Sequence, residues 1–410
     1  MSRIDDLIEQ YAPEGVVHSP LGEVGTFIRG NGLQKKDLLD RGVPAIHYGQ
    51  IHTVYGVWTT DTVSYVTPQA AARLRSAQCG DLVIATTSED DVAVAKATAW
   101  LGDDPAAVSG DAYIYRHALE PKYVAYFFQS ERFQEQKQAG ITGTKVRRIS
   151  GDALAKIRIP VPPAEVQREI VRVLDAFAEL EAELEAELKA RRQQYAYYRS
   201  LAFSADQIRA DVWTRMGDVA TVRYGRDFPK SAQGRSEGRY PFFKVIDMAR
   251  PGNESTMTLA ANYVDAADPS VLRVQLAPAG TIVMPRVGAA VGTNRKRVLG
   301  VEGAFDTSFI ALLPGEAVLP RFLLYFLQGV DLLALSNTGA ALPSVRRDAL
   351  EELLVPVLPL GEQERVVAML DDFDALVHDL SSGLPAEIEA RRQQYAYYRD
   401  RLLTFKEAVA

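Results

Sequence analysis

The 410-residue chain contains a single cysteine, Cys79, and only five histidines. One cysteine excludes internal disulfide bonds and any metal site built on several cysteines. No apolar run reaches the roughly 18 residues that would predict a transmembrane helix. The acidic segment Met1–Gln10 does not have the basic start of a signal peptide. These absences predict a cytoplasmic protein with no membrane partner.

The sequence also contains no recognisable catalytic motif. It has no G-x-S-x-G nucleophile elbow and no G-x-G-x-x-G dinucleotide fingerprint after a strand. The stretch Gly288–Lys296 superficially resembles a phosphate loop, but it does not have the Gly-Lys-Ser/Thr ending that such loops require. His47 and His52 are five residues apart, which is not the spacing of a helical metal pair. We therefore expect no metal, no cofactor and no catalysis in this chain.

The formal net charge is −7, which taken alone argues against a nucleic-acid partner. The charge is unevenly placed, however. Residues 211–350 hold 16 Lys and Arg against 13 Asp and Glu, whereas residues 351–410 hold 6 against 12. A footprint on DNA depends on where the charge lies rather than on its sum.

What the sequence does have is a repeat. Arg191–Arg199 reads RRQQYAYYR, and Arg391–Arg399 reads the same nine residues again. We call these two segments the twin motifs. Upstream the match continues at an offset of 196, with Ile159-Pro160-Val161 paired to Val355-Pro356-Val357. A match of this length indicates internal duplication.

The duplication reaches further upstream but becomes scattered. Gly80-Asp81-Leu82-Val83 corresponds to Gly280-Thr281-Ile282-Val283, and Leu21-Gly22-Glu23-Val24 to Met216-Gly217-Asp218-Val219. Each copy is thus a variable body followed by a nearly invariant segment. We divide the chain into an N-terminal helical segment (1–13), a first body (14–160), a central helix (161–205), a second body (206–357) and C-terminal helices (358–410).

The invariant segments have the pattern of long helices. Val166, Ile170, Val173 and Phe177 begin an apolar stripe with alternating steps of four and three. A helix from Glu165 to Phe203 would be about 58 Å long at about 1.5 Å per residue. The second copy breaks at Ser381–Pro385 and should form two helices. The stripes need a partner, either the other copy packed antiparallel or a second chain in an oligomeric coiled coil.

The bodies have the pattern of mixed helix and strand. Gly80–Thr86 and Gly280–Met284 are apolar runs that a glycine opens, which predicts buried strands. Tyr123–Phe128 and Arg321–Leu327 predict short amphipathic helices. The fold class is therefore α+β: two α/β domains separated by long antiparallel helices, with an internal pseudo-twofold repeat.

The repeated segments resemble the specificity (S) subunit of type I restriction-modification systems. The resemblance rests on residues 159–175 and 355–371, on the run 381–395, and on the openings Leu21–Val24 and Gly80–Val83. It covers essentially the whole chain. It implies that each body is a target recognition domain for one half of a split double-stranded DNA site.

The resemblance also implies partners. The helices would hold the domains apart and dock two methyltransferase (M) subunits, and a restriction/translocase (R) subunit would join this core. S-adenosylmethionine, ATP and magnesium would belong to those partners.

The candidates for DNA contact are basic and polar residues in loops, because such side chains read base edges and bind phosphates. A basic cluster precedes the last strand of each body, and the second body adds a loop after its buried strand. A third set occupies early loops. The predicted contacts are Lys145, Arg147, Arg148, Ser344, Arg346, Arg347, Arg286, Asn294, Arg295, Lys296, Arg297, Arg29, Lys35, Lys36, Arg223, Arg226 and Lys230. Each cluster has the alternative interpretation of a solvated basic turn.

The twin motifs are the candidates for partner docking, because exposed tyrosine and arginine are frequent at interfaces. Tyr195 and Tyr395 fit the helix stripe and should pack within it. The predicted docking residues are Arg191, Arg192, Tyr197, Tyr198, Arg391, Arg392, Tyr397 and Tyr398. Two other functions remain open at this point: a coiled-coil adaptor that does not read DNA, and a nuclease with an unrecognised site.

Overall fold

The computed structural model describes residues 3–204, 208–227, 234–265, 276–337, 342–378 and 383–408. Its internal contacts divide the chain into two compact units. Unit one contains Met1–Ala182 and Ala390–Ala410, and unit two contains Glu183–Glu389. This division differs from the one drawn on the sequence, because the central helix gives one half to each unit.

The first body consists of short strands joined by turns. In chain order they are β1 (His18–Pro20), β2 (Gly25–Arg29), β3 (Val43–Ile46), β4 (Trp58–Thr59), β5 (Tyr65–Val66), β6 (Ser76–Ala77), β7 (Leu82–Ala85), β8 (Thr87–Ser88), β9 (Ala97–Trp100), β10 (Ala106–Val108), β11 (Ala112–His117), β12 (Ile141–Thr142), β13 (Arg147–Ile149) and β14 (Arg158–Pro160). The main sheet has the order β2-β11-β7-β9-β4, and smaller sheets have the orders β5-β3-β10-β6 and β12-β13-β8. Strands β1 and β14 pair separately.

Helices pack on both faces of this main sheet, with Tyr123–Phe127 on the face of Leu82 and Ile51 on the face of Val83. They are α1 (Arg3–Tyr11), α2 (Leu21–Val24), α3 (Tyr48–Thr53), α4 (Pro68–Ala71), α5 (Pro121–Phe127), α6 (Glu131–Gln138), α7 (Gly151–Ala155) and the long α8 (Ala164–Ala202). The predicted helix at Tyr123–Phe128 is α5, and its proline start suits a first helical turn.

The second body repeats this frame. Its strands are β15 (Trp213–Arg215), β16 (Ala220–Tyr224), β17 (Tyr240–Phe243), β18 (Thr256–Met257), β19 (Asn262–Val264), β20 (Ile282–Pro285), β21 (Arg297–Leu299), β22 (Ala304–Phe305), β23 (Phe309–Pro314) and β24 (Leu354–Pro356). The helices are α9 (Met216–Val219), α10 (Pro320–Gln328), α11 (Arg347–Glu351), α12 (Leu360–His378) and α13 (Leu384–Leu402). The main sheet has the order β16-β23-β20-β21-β18, which corresponds strand by strand to that of the first body.

The central strand of each main sheet is buried along its whole length, as predicted. Leu82 and Ile84 of β7 pack on the side of α5, while Val83 and Ala85 pack against the smaller sheet. Strand β20 divides its side chains in the same way. Gly80 and Gly280 precede the two strands with φ values of 93° and 89°, a left-handed conformation that explains why glycine occurs in both copies.

The long helices follow the prediction closely. Helix α8 has 39 residues and begins and ends within one residue of the predicted bounds. The second copy forms two helices, α12 and α13, and residues 381 and 382 of the predicted break lie outside the described residues. Within unit one α8 and α13 run antiparallel, because Glu181 pairs with Arg392 whereas Phe177 stacks on the later Tyr398.

A buried glutamine fixes each body to its helix. Gln363 of α12 is fully buried; its amide donates to the carbonyls of Ala317 and Leu358 at 2.9 and 2.7 Å and accepts from the Leu319 N–H at 2.8 Å. In unit one Gln167 of α8 donates to the Pro162 carbonyl at 2.7 Å and accepts from the Glu120 N–H at 2.9 Å. All the hydrogen-bonding groups that these amides face are backbone groups.

An aspartate two turns further along adds a second attachment. Asp175 accepts from Lys122 Nζ at 2.8 Å and from the Tyr126 hydroxyl at 2.7 Å. In unit two Asp371 accepts from Arg321 Nε at 3.0 Å and from the Tyr325 hydroxyl. We call the glutamine and the aspartate together the polar clamp of each unit.

Gln363→Leu should lower the free energy of unfolding by about 3 kcal/mol, because it leaves one N–H and two carbonyls without partners in a buried site. Chemical denaturation of the full chain measures this. Gln193→Leu on the exposed face of α8 is the control and should change stability by less than about 0.5 kcal/mol. Equal losses in both variants would contradict the role of the clamp.

Candidate nucleic-acid interface and docking motifs

In each body the segment after the buried central strand forms β-type pairs with the segment before the last short helix. In the first body Arg147 pairs with Ser88 and Arg148 with Thr87 across β13 and β8. In the second body Val287 bridges Ser344. The basic clusters and the loops after the buried strands therefore form one surface within each body, which the sequence did not reveal.

The first basic cluster contains two exposed cations and one structural arginine. Lys145 and Arg148 are exposed. Arg147 is half-buried; its Nε lies 2.9 Å from Asp91 Oδ1, and its guanidinium donates to the Gly143 carbonyl at 2.7 Å. Arg147 thus fixes the turn, while Lys145 and Arg148 remain exposed to solvent.

The second cluster adopts a different local structure from the first. Arg346 occupies the N-cap position of α11, and Arg347 is the first residue of that helix. Arg346 Nε bonds Asp348 at 3.1 Å, and Arg347 Nε bonds Glu351 at 2.7 Å. The predicted equivalence with the strand cluster 145–148 was wrong in register, because Ser344 takes the strand position and the arginines start a helix.

The loop between β20 and β21 is held by its own basic residues. Asn294 is left-handed at φ 53°, and its Oδ1 accepts from the Leu332 N–H at 2.9 Å and from Lys296 Nζ at 2.8 Å. Lys296 is only 2% exposed and also donates to the Val330 carbonyl at 2.5 Å. Burial lowers the pKa of Lys296 to about 8. The DNA contact of Lys296 stays a prediction, and the enclosure of its ammonium group does not favour it.

Arg297 is also largely structural. Its Nε donates to the Asn253 carbonyl at 2.7 Å, and burial together with the charge of Arg295 lowers its pKa. Arg295 itself is half-exposed and has no ion pair within the described residues. Arg286 donates to the Thr307 carbonyl at 2.9 Å and lies over the Tyr224 ring. Arg286 and Arg295 are therefore the cations that this loop presents.

The corresponding loop of the first body is anchored by a lysine from a different element. Lys137 of α6 is 1% exposed and donates to the carbonyls of Val92 and Val94, both at 2.8 Å. Burial lowers its pKa to about 8, against the opposing effect of Asp90 and Asp91. A buried ammonium group thus anchors the loop in both bodies, although the lysine comes from the helix in one and from the loop in the other.

The early loops carry exposed cations in both bodies. Lys35 and Lys36 lie in a single 3₁₀ turn, and Arg226 is exposed at the end of β16. Arg29 is exposed and donates to the Gly110 carbonyl at 3.0 Å. Arg223 is half-buried and donates to the Leu276 carbonyl at 3.0 Å. Lys230 lies outside the described residues.

The twin motifs pack in equivalent ways in the two units. The Tyr195 hydroxyl donates to Gln328 Oε1 at 2.6 Å in unit two. The Tyr395 hydroxyl donates to Gln129 Oε1 at 3.2 Å in unit one, where burial raises its pKa to about 12. The arginines Arg199 and Arg399 lie over these rings at 5.5 and 5.7 Å. The prediction that both tyrosines pack within the stripe is confirmed.

The other tyrosines of the motifs differ in exposure. Tyr197 and Tyr397 are 62% and 60% exposed, as expected for docking residues. Tyr198 and Tyr398 are half-buried, because each stacks on a phenylalanine at 5.4 Å, Phe373 and Phe177 respectively. In each motif the exposed ring meets its neighbour edge-on.

The arginines of the motifs are also exposed or half-exposed. Arg192 and Arg392 are exposed, and Arg392 pairs with Glu181 at 2.6 Å. Arg191 and Arg391 are half-exposed, and each bonds the glutamine three residues later at 3.1 Å. Each motif therefore presents a tyrosine ring with arginines on the same helix.

Within the described ranges, no group of three or more His, Cys, Asp or Glu is placed to hold a metal ion. No helix among them combines the length and apolarity needed to cross a membrane.

The duplication corresponds to a known domain. The family described as the Type I restriction modification DNA specificity domain matches residues 13–191 and again residues 212–390. This chain belongs to that family. The two matches cover nearly all of both bodies and end at residues 191 and 390, where the twin motifs begin.

Relatives in the specificity-domain family are similar over part of their length. A specificity subunit of a type I restriction enzyme from Escherichia coli is 32% identical over 270 residues, which cover 63% of this chain and 65% of the relative. A putative specificity subunit from Haemophilus influenzae is 30% identical over 278 residues, which cover 65% of this chain and 68% of the relative. The chain thus spans about two thirds of the length of these relatives.

Solved structures share the fold. A chain from a type I restriction-modification system, studied for its assembly and conformational transition, aligns with a TM-score of 0.61 at 18% identity, covering 96% of this chain and 98% of that one. The S subunit from M. genitalium aligns with a TM-score of 0.54 at 14% identity, covering 95% and 96%. The α+β fold with two repeated bodies is confirmed.

Lys296→Met should destabilise the protein by about 2 kcal/mol at neutral pH, because it removes the ammonium donor from the Val330 carbonyl and one of the two donors from Asn294 Oδ1. The loss should grow as the pH rises from about 8 towards 10.5, the ordinary value for lysine. In that window the unfolded chain still binds the proton that the folded protein has released, so this lysine adds stability as the pH rises.

Denaturation at several pH values measures the difference between the wild type and the Lys296→Met variant. Lys189→Met on the exposed surface of α8 is the control and should show no such trend. A difference that does not change with pH would contradict the buried ammonium group.

Proposed function

We propose that this chain reads DNA sequence for a type I restriction-modification system, with each body binding one half of a bipartite double-stranded site. The observation that carries the proposal is one sheet frame with two different loop surfaces. Residues 82 and 282 hold equivalent positions in sheets of the same strand order. The loops that follow differ in charge, in anchoring and in local structure. Two domains with one task and different targets would need this combination.

The exposed cations support binding to a duplex. Lys145 and Arg148 in the first body, and Arg286 and Arg295 in the second, lie on the surface that the paired segments form. Phosphate contacts from such residues set position and orientation, while polar side chains of the same loops read base edges. The net charge of −7 does not oppose this, since the second body is positive and the acidic residues concentrate in the C-terminal helices.

The twin motifs support docking of two copies of one partner, the methyltransferase subunit. Both motifs have the same sequence and present an exposed tyrosine of nearly equal accessibility. A partner with one site for this surface would therefore occupy both. We further propose that the restriction/translocase subunit joins this core, that S-adenosylmethionine, ATP and magnesium bind to these partners, and that the chain itself is not an enzyme.

The first test is a methylome. The chain, expressed with a cognate methyltransferase subunit in a host without DNA methylation, should produce one split methylated motif. Exchanging residues 14–150 for those of a relative should change one half of the motif and leave the other half intact, because each body reads alone. Sequencing of modified bases measures both. Methylation that persists without this chain would contradict the proposal and favour a coiled-coil adaptor.

A second test addresses docking. Tyr197→Ala and Tyr397→Ala should each remove one of two methyltransferase copies from the complex, and the double variant both, because an exposed aromatic anchor typically contributes about 2 kcal/mol or more at an interface. Native mass spectrometry of the co-purified complex counts the copies. Tyr11→Ala, another exposed tyrosine, is the control. Full occupancy in the double variant would exclude the motifs as docking sites.

A further inference from the structure

Unit two contains a cavity of about 550 Å³ where the first twin motif meets the loop after β20. Two of its basic residues come from the helix and three from the loop and the strand that follows. These residues are Arg192, Arg199, Arg295, Lys296 and Arg297. Five cations around one cavity is an unusual concentration in a chain whose net charge is negative.

The acidic residues of the cavity do not balance this charge. Glu254 and Asp374 also line it. Asp374 accepts from the Ser255 hydroxyl at 2.6 Å and lies 3.8 Å from Arg321, a sixth cation. Glu254 accepts from the Gly252 N–H. The lining residues therefore carry five positive charges against two negative ones, and one of the two acids already has a cationic neighbour.

The cations of the cavity are held by neutral groups. Arg199 bonds Gln328 Oε1 at 3.3 Å, and Lys296 and Arg297 donate to backbone carbonyls and an amide. Arg192 and Arg295 have no ion pair within the described part of the chain. Burial and then the charge of Arg295 lower the pKa of Arg297, against the opposing effect of Glu254 and Asp374. Burial also lowers the pKa of Lys296, where Asp331 raises it and Arg199 lowers it further. The positive charges therefore repel one another, and the nearby acidic residues balance them only in part.

The equivalent cavity in unit one does not have this excess of positive charge. Val298 pairs with Ile282 as Ala99 pairs with Leu82, so Arg295 corresponds to Lys96. The cavity there, of about 920 Å³, contains Lys96 and Arg399 but also Glu89 and Asp90. The positive cavity is therefore a property of the second body and not of the twin motif.

We propose that the cavity of unit two is an anion site that binds a phosphate group through Arg192, Arg199 and Arg295. Guanidinium groups match phosphate oxygens with paired hydrogen bonds. The source of the phosphate, resting on the proposed function, is the DNA backbone. Arg192 then acts on DNA rather than only on a docked subunit.

Two measurements on the full chain test the site and its source separately. The first titrates pyrophosphate at constant ionic strength and follows the midpoint of thermal unfolding, which rises when an anion binds the folded state alone. Arg192→Gln and Arg295→Gln should each weaken pyrophosphate at least about tenfold, the equivalent of one lost charge-assisted hydrogen bond. Lys96→Gln, the positional counterpart in the first body, should leave this affinity unchanged.

The second measurement is the salt dependence of binding to a DNA duplex. Each of the two arginine variants should reduce the slope of log affinity against log salt by about one, because one phosphate contact is lost, and should do so for every DNA sequence. The Lys96→Gln variant should keep the wild-type slope.

The outcomes distinguish the existence of the anion site from the DNA backbone as the source of its phosphate. Pyrophosphate stabilisation with an unchanged slope supports the anion site and excludes the DNA backbone as its source. Pyrophosphate stabilisation in a chain that binds no duplex at all supports the site and rejects the proposed function. A reduced slope supports both. No stabilisation by pyrophosphate and no change of slope would overturn the proposal.

Discussion

A buried glutamine amide attaches each body to its long helix, and the other contacts between body and helix depend on this attachment. Gln167 and Gln363 each satisfy backbone groups of the adjoining body from both ends of the side chain. Losing either amide would leave several polar groups buried without partners, which costs more than the bonds themselves contribute. Asp175 and Asp371, about two helical turns further along, fix the rotation of the helix as well as its position.

The two copies in the sequence do not form two separate units in the structure, because each twin motif packs on the body of the other copy. The motif at the end of the first copy packs beside Phe373 and Gln328, and the motif at the end of the second copy packs beside Phe177 and Gln129. Each body is therefore completed by residues of the other copy. A change in one motif therefore acts on the body of the other copy. Both motifs, and the residues that they pack against, must keep the same residue types for both units to remain intact.

The sequence predicted the features that neighbouring residues determine and missed those that depend on contacts between distant parts of the chain. The bounds of α8 and the buried strands β7 and β20 follow from periodicity and from glycines with left-handed φ, which are local. The role of Lys296 was not predictable, because its enclosure depends on Val330, 34 residues away. Arg346 was misplaced for a subtler reason: it takes an N-cap position that Ser150 fills in the first body, and arginine gives no capping signal. The pairing of segments 87–88 and 147–148 is likewise long-range.

The buried ammonium groups of Lys137 and Lys296 have a consequence for the thermodynamics of recognition. Lys137 ties the first loop to α6 through the carbonyls of Val92 and Val94, and Lys296 ties the second loop to the segment after α10 through the Val330 carbonyl. The conformational entropy of those loops is therefore lost when the chain folds and not when a ligand arrives. Surfaces ordered in advance bind with a smaller entropic penalty and reject ill-fitting ligands more sharply, since the loops do not rearrange to accommodate them. Rigidity of this kind favours discrimination between similar ligands over breadth of binding.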